Sequence, residues 1–220
     1  MPTLYDLAGA DPGFRFSPYC WRVKLALALK GVPYDTVPVR FTDKALIAFS
    51  GQDKVPVLVD GTDVVPDSAA IAAFLDKRYP GGPSLLGDAG QAAVTAFLRY
   101  WTERVLHPLL LPLILLDLLG KLAPEDQDYF RRSREKRFCV SLEAYAGDPA
   151  HRLAAVDTAL APLRVTLAGQ PFLAGEAPAW ADCLVFGALQ WAHSVRPAAL
   201  MADEDPVATW HARCRALCGA

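Results

Sequence analysis

The sequence predicts an α/β domain followed by an all-helical domain, on three observations. Short extended runs alternate with helical ones over the first 80 residues, a Pro80-Gly81-Gly82-Pro83 cluster interrupts the pattern, and beyond it only helical runs recur. The corresponding boundaries are 1–80 for the α/β part, 81–88 for a linker and 89–220 for the helical bundle.

Each element has its own local reason. Thr3 to Leu7 is a strand, and Pro18 to Lys30 a helix with Ser17 at its N-cap, Pro18 at its first position and Gly31 stopping it. Tyr34 to Val39 is a second strand, which Pro38 assigns to a sheet edge. A short helix is expected around Asp43 to Phe49. Val55 to Val59, the turn Asp60-Gly61-Thr62-Asp63 and Val64-Val65 form a tight hairpin. Asp67 to Tyr79 is a helix with Ile71, Ala72, Phe74 and Leu75 on one side. Further helices are expected over Ala89–Leu119, Pro124–Tyr145, Pro149–Leu167, Trp180–His193 and Asp205–Leu217.

Composition excludes several function classes. With 220 residues, 53% of them hydrophobic and 21% charged, the chain is globular. A net charge of −2 gives no general attraction for nucleic acid or anionic lipid. The basic run Arg131 to Arg137 follows Glu125, Asp126 and Asp128, an order that suits the dipole of one solvated helix better than a nucleic-acid contact. Val105 to Leu122 is the most apolar stretch, but His107, Pro108, Pro112, Asp117 and Lys121 interrupt it, so a buried, proline-kinked helix is expected rather than a membrane span. Met1 to Leu7 carries no secretory pattern, and the five cysteines (20, 139, 183, 214 and 218) form no CxxC pair. Both point to a reducing, cytoplasmic setting. His211, Cys214 and Cys218 share a helical face but lack a fourth ligand nearby, so no metal site is expected.

The chemistry concentrates at Ser17-Pro18-Tyr19-Cys20, where the first strand meets the first helix. A helix N-terminus presents unpaired N–H groups and the positive end of a dipole, and so favours an anion such as a thiolate. A serine there can cap the helix and still donate to an external sulfur. Taken alone, Ser17 reads as an N-cap, and Asp67-Ser68 likewise. Cys20, inside the helix, is expected to be buried and inert.

Ser17-Pro18-Tyr19-Cys20 resembles the Cys-Pro-Tyr-Cys site of glutaredoxins with the nucleophilic cysteine replaced by serine. Together with Val55-Pro56-Val57-Leu58 and Asp67-Ser68-Ala69-Ala70-Ile71, in this order, it resembles the N-terminal, thioredoxin-like domain of glutathione S-transferases. Pro171 to Gly175, then Ala181-Asp182 opening the run Cys183–Trp191, resembles the buried helix of that family's second domain. Phe16 to Arg22, Tyr129 to Glu135 and Val185 to Ala192 are similar to serine-type members, β-etherase-like or zeta-like.

The resemblance implies that glutathione is the co-substrate and that a small hydrophobic electrophile is its partner, with ether cleavage among the possible outcomes and a homodimer as the assembly. It assigns Ser17 to the glutathione sulfur, Val55 before a cis Pro56 to backbone pairing, and Asp67 and Ser68 to the γ-glutamyl end. Lys54, with Gln52 as the alternative, is assigned to the glycyl carboxylate. Trp21, Tyr100, Arg104 and His107 are expected to line the electrophile pocket. A zeta-type isomerase and a non-catalytic carrier would share the cradle, whereas a thiol oxidoreductase would want cysteine at position 17. One departure concerns Ala179, which stands where the family has a capping residue for the buried helix, so the reciprocal capping box with Asp182 should be lost.

Overall fold

The computed structural model describes residues 1–197 and 200–219. Its first part runs β1 (Thr3–Leu7), α1 (Pro18–Leu29), β2 (Asp35–Val39), a 3₁₀ segment (Lys44–Ser50), β3 (Val57–Asp60), β4 (Asp63–Pro66) and α2 (Ser68–Arg78). The strands form one sheet in the order β2-β1-β3-β4, with β2 parallel to β1 and the other neighbours antiparallel. Pro38 does lie on an edge strand. Asp60 pairs with Asp63 to close a two-residue turn, and Gly61 supplies the positive φ of 62° that this turn requires. This is a thioredoxin-like domain, and a helical domain follows it.

The second part comprises α3 (Ala89–Trp101), α4 (His107–Gly120), α5 (Pro124–Phe138), α6 (Leu142–Ala146), α7 (Pro149–Gly169), α8 (Trp180–Val195) and α9 (Pro206–Leu217). The expected helix 89–119 is continuous but holds a π turn at Thr102–Leu106, where His107 N–H bonds to Thr102 C=O. Pro108 follows directly, and its missing N–H and bulky ring disturb the α ladder at that point.

Three expectations need correction. The expected helix 124–145 divides at Cys139, whose φ of 60° ends α5, and Ser141 then caps α6 through Ala144 N–H. The segment near 43–49 is a 3₁₀ helix, and the third strand begins at Val57 rather than Val55. No helix among the described residues is long and apolar enough to cross a membrane. The apolar run is instead the buried α4, with Leu110, Leu113, Ile114, Leu115 and Leu118 in the core.

One hydrophobic core joins the two parts, running from Leu4 and Leu58 of the sheet through Val23 and Leu27 of α1 to Leu184, Val185 and Phe186 of α8. α1 and α8 approach closely because Gly187 has no side chain. A Cβ there would collide with the Pro18 carbonyl and lie 2.7 Å from Arg22 Cγ. At the start of α8, fully buried Asp182 accepts from the N–H groups of Leu173 (2.7 Å), Ala174 (3.2 Å) and Ala179 (3.0 Å), and from Trp210 Nε1 (2.8 Å). Ala179 has no side-chain acceptor to return, so half of the capping box is made, as its sequence implies.

Candidate functional site at the α1 N-terminus

Ser17 is placed by the loop that leaves β1 and by Pro18 at the first position of α1. Its extended backbone (φ −69°, ψ 125°) turns the hydroxyl back over the helix, where Oγ accepts from Cys20 N–H at 3.3 Å. The residue is buried at the floor of a cavity of about 670 Å³ between the two domains. Accepting one bond leaves the hydroxyl proton to donate elsewhere. Cys20 beneath it is fully buried, and burial pushes its thiol well above the ordinary range, so no thiolate of the chain's own competes at this point.

The same cavity is lined by Gln52, Lys54, Val55, Pro56, Asp67 and Ser68. The Val55–Pro56 peptide is cis, and Pro56 C=O accepts from Asp67 N–H at 3.3 Å, which ties the β3 approach to the start of α2. Asp67 caps α2, its Oδ1 accepting from Ala69 N–H (2.9 Å) and Ala70 N–H (3.3 Å), at φ 73° and ψ 134°. Lys54 is exposed at the rim, while neighbouring Lys44, which also lines the cavity, pairs with Asp53 at 2.8 Å.

The opposite wall comes from the helical domain. Arg99, Glu103, His107, Pro108 and Leu111 face inward. Of the four residues expected to line an electrophile pocket, only His107 lines this cavity. Tyr100 and Arg104 are exposed one position round the helix. The π turn is the reason. A four-residue spacing overshoots an α turn of about 3.6 residues, and a wider turn absorbs that drift, keeping positions 99, 103, 107 and 111 on one face. Trp21 lies two residues beyond Tyr19 on α1 and faces the domain interface, with its ring edge-on to Phe186 (6.3 Å), Lys24 above it and Nε1 donating to Arg15 C=O (3.3 Å).

His107 sits edge-on to Tyr19 and to Trp191, each with ring centroids 5.6 Å away. Burial first, and Arg22 second, pull its imidazole down to about 3, so it is neutral at physiological pH. Burial raises the Tyr19 phenol, which therefore stays protonated. Arg22 is fully buried, donates to Glu103 at 2.8 Å and lies 4.6 Å from the Tyr19 ring centroid, while Glu103 also binds Arg99 at 3.2 Å.

Sequence reasoning missed a third wall, formed by Arg40, Phe41, Tyr129, Phe130, Arg134, Arg137, Phe138 and Tyr145. Buried Asp126 on α5 holds it in place by accepting from Thr42 N–H at 2.9 Å. The signal available in the sequence was the aromatic and basic run from Tyr129 to Phe138, which periodicity alone could not orient. Among the described residues no group of three or more metal-ligating side chains forms.

Residues 12–83 match the family described as "Glutathione S-transferase, N-terminal domain", and residues 92–216 match "Glutathione S-transferase, C-terminal domain". The chain is 33% identical over 141 residues to a zeta-class glutathione S-transferase of Euphorbia esula, covering 58% of this chain and 60% of that one. It is 39% identical over 74 residues to a maleylacetoacetate isomerase of Pseudomonas aeruginosa, covering 30% of this chain and 34% of the other. The matches thus span less than two thirds of the length of these curated relatives. A glutathione S-transferase of Ceriporiopsis subvermispora, solved in complex with glutathione, superposes with a TM-score of 0.81 at 26% identity over 99% of this chain and 96% of that one.

Proposed function

We propose, because this chain belongs to the glutathione S-transferase family, that it is a glutathione transferase activating the thiol at Ser17 for attack on a hydrophobic electrophile. The observation that carries the reading is the Ser17 hydroxyl at the α1 N-terminus, in one cavity with Val55, cis Pro56, Asp67 and Ser68. Glutathione would lie extended along Val55 in strand-like pairing. Its γ-glutamyl amine would meet Asp67 and Ser68, and its glycyl carboxylate Lys54. The C. subvermispora relative is described as a glutathione complex, which supports the same co-substrate here.

Ser17 and the α1 dipole then favour the thiolate over the thiol. From a free thiol near 8.5, a depression of one to two units, at about 1.4 kcal/mol each, makes the anion substantial at neutral pH. The thiolate attacks an electrophile held against the helical domain, and an aryl ether, an aryl halide or an unsaturated carbonyl would each serve. Neutral His107 shapes that pocket without exchanging a proton at this pH.

The exposed apolar stripe Val94, Phe97 and Tyr100 on α3 supports a homodimer, and the five unpaired cysteines suit a reducing cytoplasm. A second reading, a glutathione-dependent isomerase, draws on the match to maleylacetoacetate isomerase. It uses the same thiolate but returns the thiol unconsumed.

The deciding experiment is the pKa of enzyme-bound glutathione, followed by thiolate ultraviolet absorbance in the wild type and in Ser17→Ala. A depressed value that climbs by about one unit or more in the variant is expected. Tight binding with an unshifted thiol would instead identify a carrier. Net loss of glutathione during turnover separates transferase from isomerase.

A further inference from the structure

The basic run on α5 divides by direction. Arg131 points to solvent and is held by Glu135 (2.9 Å) and Glu143 (2.8 Å). Arg134 and Arg137, one turn apart, line the cavity instead, and neither has a carboxylate within ion-pair distance among the described residues. The other cations of the cavity are engaged: Arg40 by Asp43 (3.0 Å), Lys44 by Asp53 (2.8 Å) and Arg99 by Glu103 (3.2 Å). Lys54 is the exception, at the glutathione rim.

Arg134 is half-buried, and its guanidinium lies 4.6 Å from the Phe130 ring centroid and 5.4 Å from that of Phe41. Its one hydrogen bond is to Ser133 Oγ at 2.9 Å. Burial, then the neighbouring charge of Arg137, pulls its pKa down, as expected of a cation short of a counter-charge. Arg137 is exposed and lines the same cavity over Phe138, whose ring stacks on Tyr145 at 3.7 Å. Two uncompensated guanidinium groups among aromatic rings, in the cavity that also holds Ser17, are built for a flat ring that carries a negative charge.

We infer that the electrophile is an aromatic acid, its ring lying among Phe41, Tyr129 and Phe138 and its carboxylate or sulfonate held by Arg134 and Arg137. This rests on the transferase reading above and names its substrate class. With an activated aryl chloride, the thiolate sulfur forms a bond to the ring carbon bearing chlorine. The ring and its nitro groups carry the displaced π pair, which returns to restore the aromatic ring as the C–Cl bond breaks and chloride leaves with the bonding pair; the thiol proton has already left to solvent.

The test compares 4-chloro-3,5-dinitrobenzoate with its neutral methyl ester, which shares the ring and the leaving group. In the wild type, kcat/KM should favour the acid by about tenfold or more relative to the uncatalysed rates, and Arg134→Gln/Arg137→Gln should remove that preference. The acid should lose about tenfold more of its rate than the ester loses, with the melting temperature near wild type. Arg137→Gln, at an exposed position, carries the test alone if the double variant folds poorly. Binding of 3,5-dinitrobenzoate against its methyl ester, by calorimetry with S-methylglutathione present, gives a readout that needs no turnover. An acid preference in binding without turnover would uphold the anion site and sink the transferase reading. Equal binding of acid and ester to the wild type would overturn the inference. So would a higher KM for glutathione or a raised bound-thiol pKa in the variants with the acid-to-ester ratio unchanged, since the arginines would then serve glutathione.

Discussion

Asp67 occupies a backbone conformation (φ 73°) that side chains rarely adopt, and it does so in the lining of the Ser17 cavity. Its carboxylate offsets that cost by taking two N–H groups of α2. Asparagine tolerates this φ and preserves the cap, so Asp67→Asn should keep thermal stability within about 0.5 kcal/mol. On the proposed function it loses the charge that would meet the γ-glutamyl amine, and affinity for glutathione should fall about tenfold by calorimetry. Asp67→Ala should lose both, at about 1–2 kcal/mol of stability in denaturant unfolding. The sequence made the cap legible through Asp67-Ser68 before an apolar helix. The unusual φ was not legible, because the bond between Pro56 C=O and Asp67 N–H imposes it from a distant turn.

At the scale of elements, α1 and α8 decide where Ser17 sits. Their contact passes through Gly187, whose neighbours are backbone and the stem of Arg22 rather than a mobile side-chain end. Gly187→Ala must therefore push the helices apart. A loss of about 1–3 kcal/mol is expected, together with a weaker thiol shift, because α1 carries Ser17 at its end. Calorimetric unfolding and bound-glutathione absorbance check the two halves of that statement. The long helix α3–α4 teaches the complementary lesson. Periodicity placed a helix over 89–119 correctly, yet it turned Tyr100 and Arg104 toward the pocket when Arg99 and Glu103 face it. A π turn is a local change of period that a fixed spacing cannot anticipate, and only the proline beyond it hinted at trouble.

The whole molecule buries two neutral histidines, one on each side of α8: His107 beside Trp191, and His211 beside Phe186. Burial holds both near 3, with Arg22 acting on the first and with His193 and Arg215 acting on the second. In the unfolded chain each titrates near 6.5. Between those values the unfolded state binds more protons, so their contribution to stability is complete above about 6.5 and is lost as pH falls toward 3. The His107→Gln/His211→Gln variant should therefore lose stability less steeply than the wild type between pH 6.5 and 4.5, as read by urea midpoints at each pH. Equal slopes would contradict it.

By itself the sequence determined what short-range physics controls: the order of the elements, the caps at Ser17 and Asp67 and the edge position of Pro38. These follow from backbone preferences, hydrogen-bonding side chains and apolar periodicity within a few residues. Tertiary structure alone decided which face of each helix meets the cavity. The π turn set the inward face of α3–α4, and the packing of α5 against the loop at Thr42 turned Arg134 and Arg137 inward while Arg131 stayed with its carboxylates. Such orientations depend on contacts between residues far apart in the chain, and no local pattern encodes them.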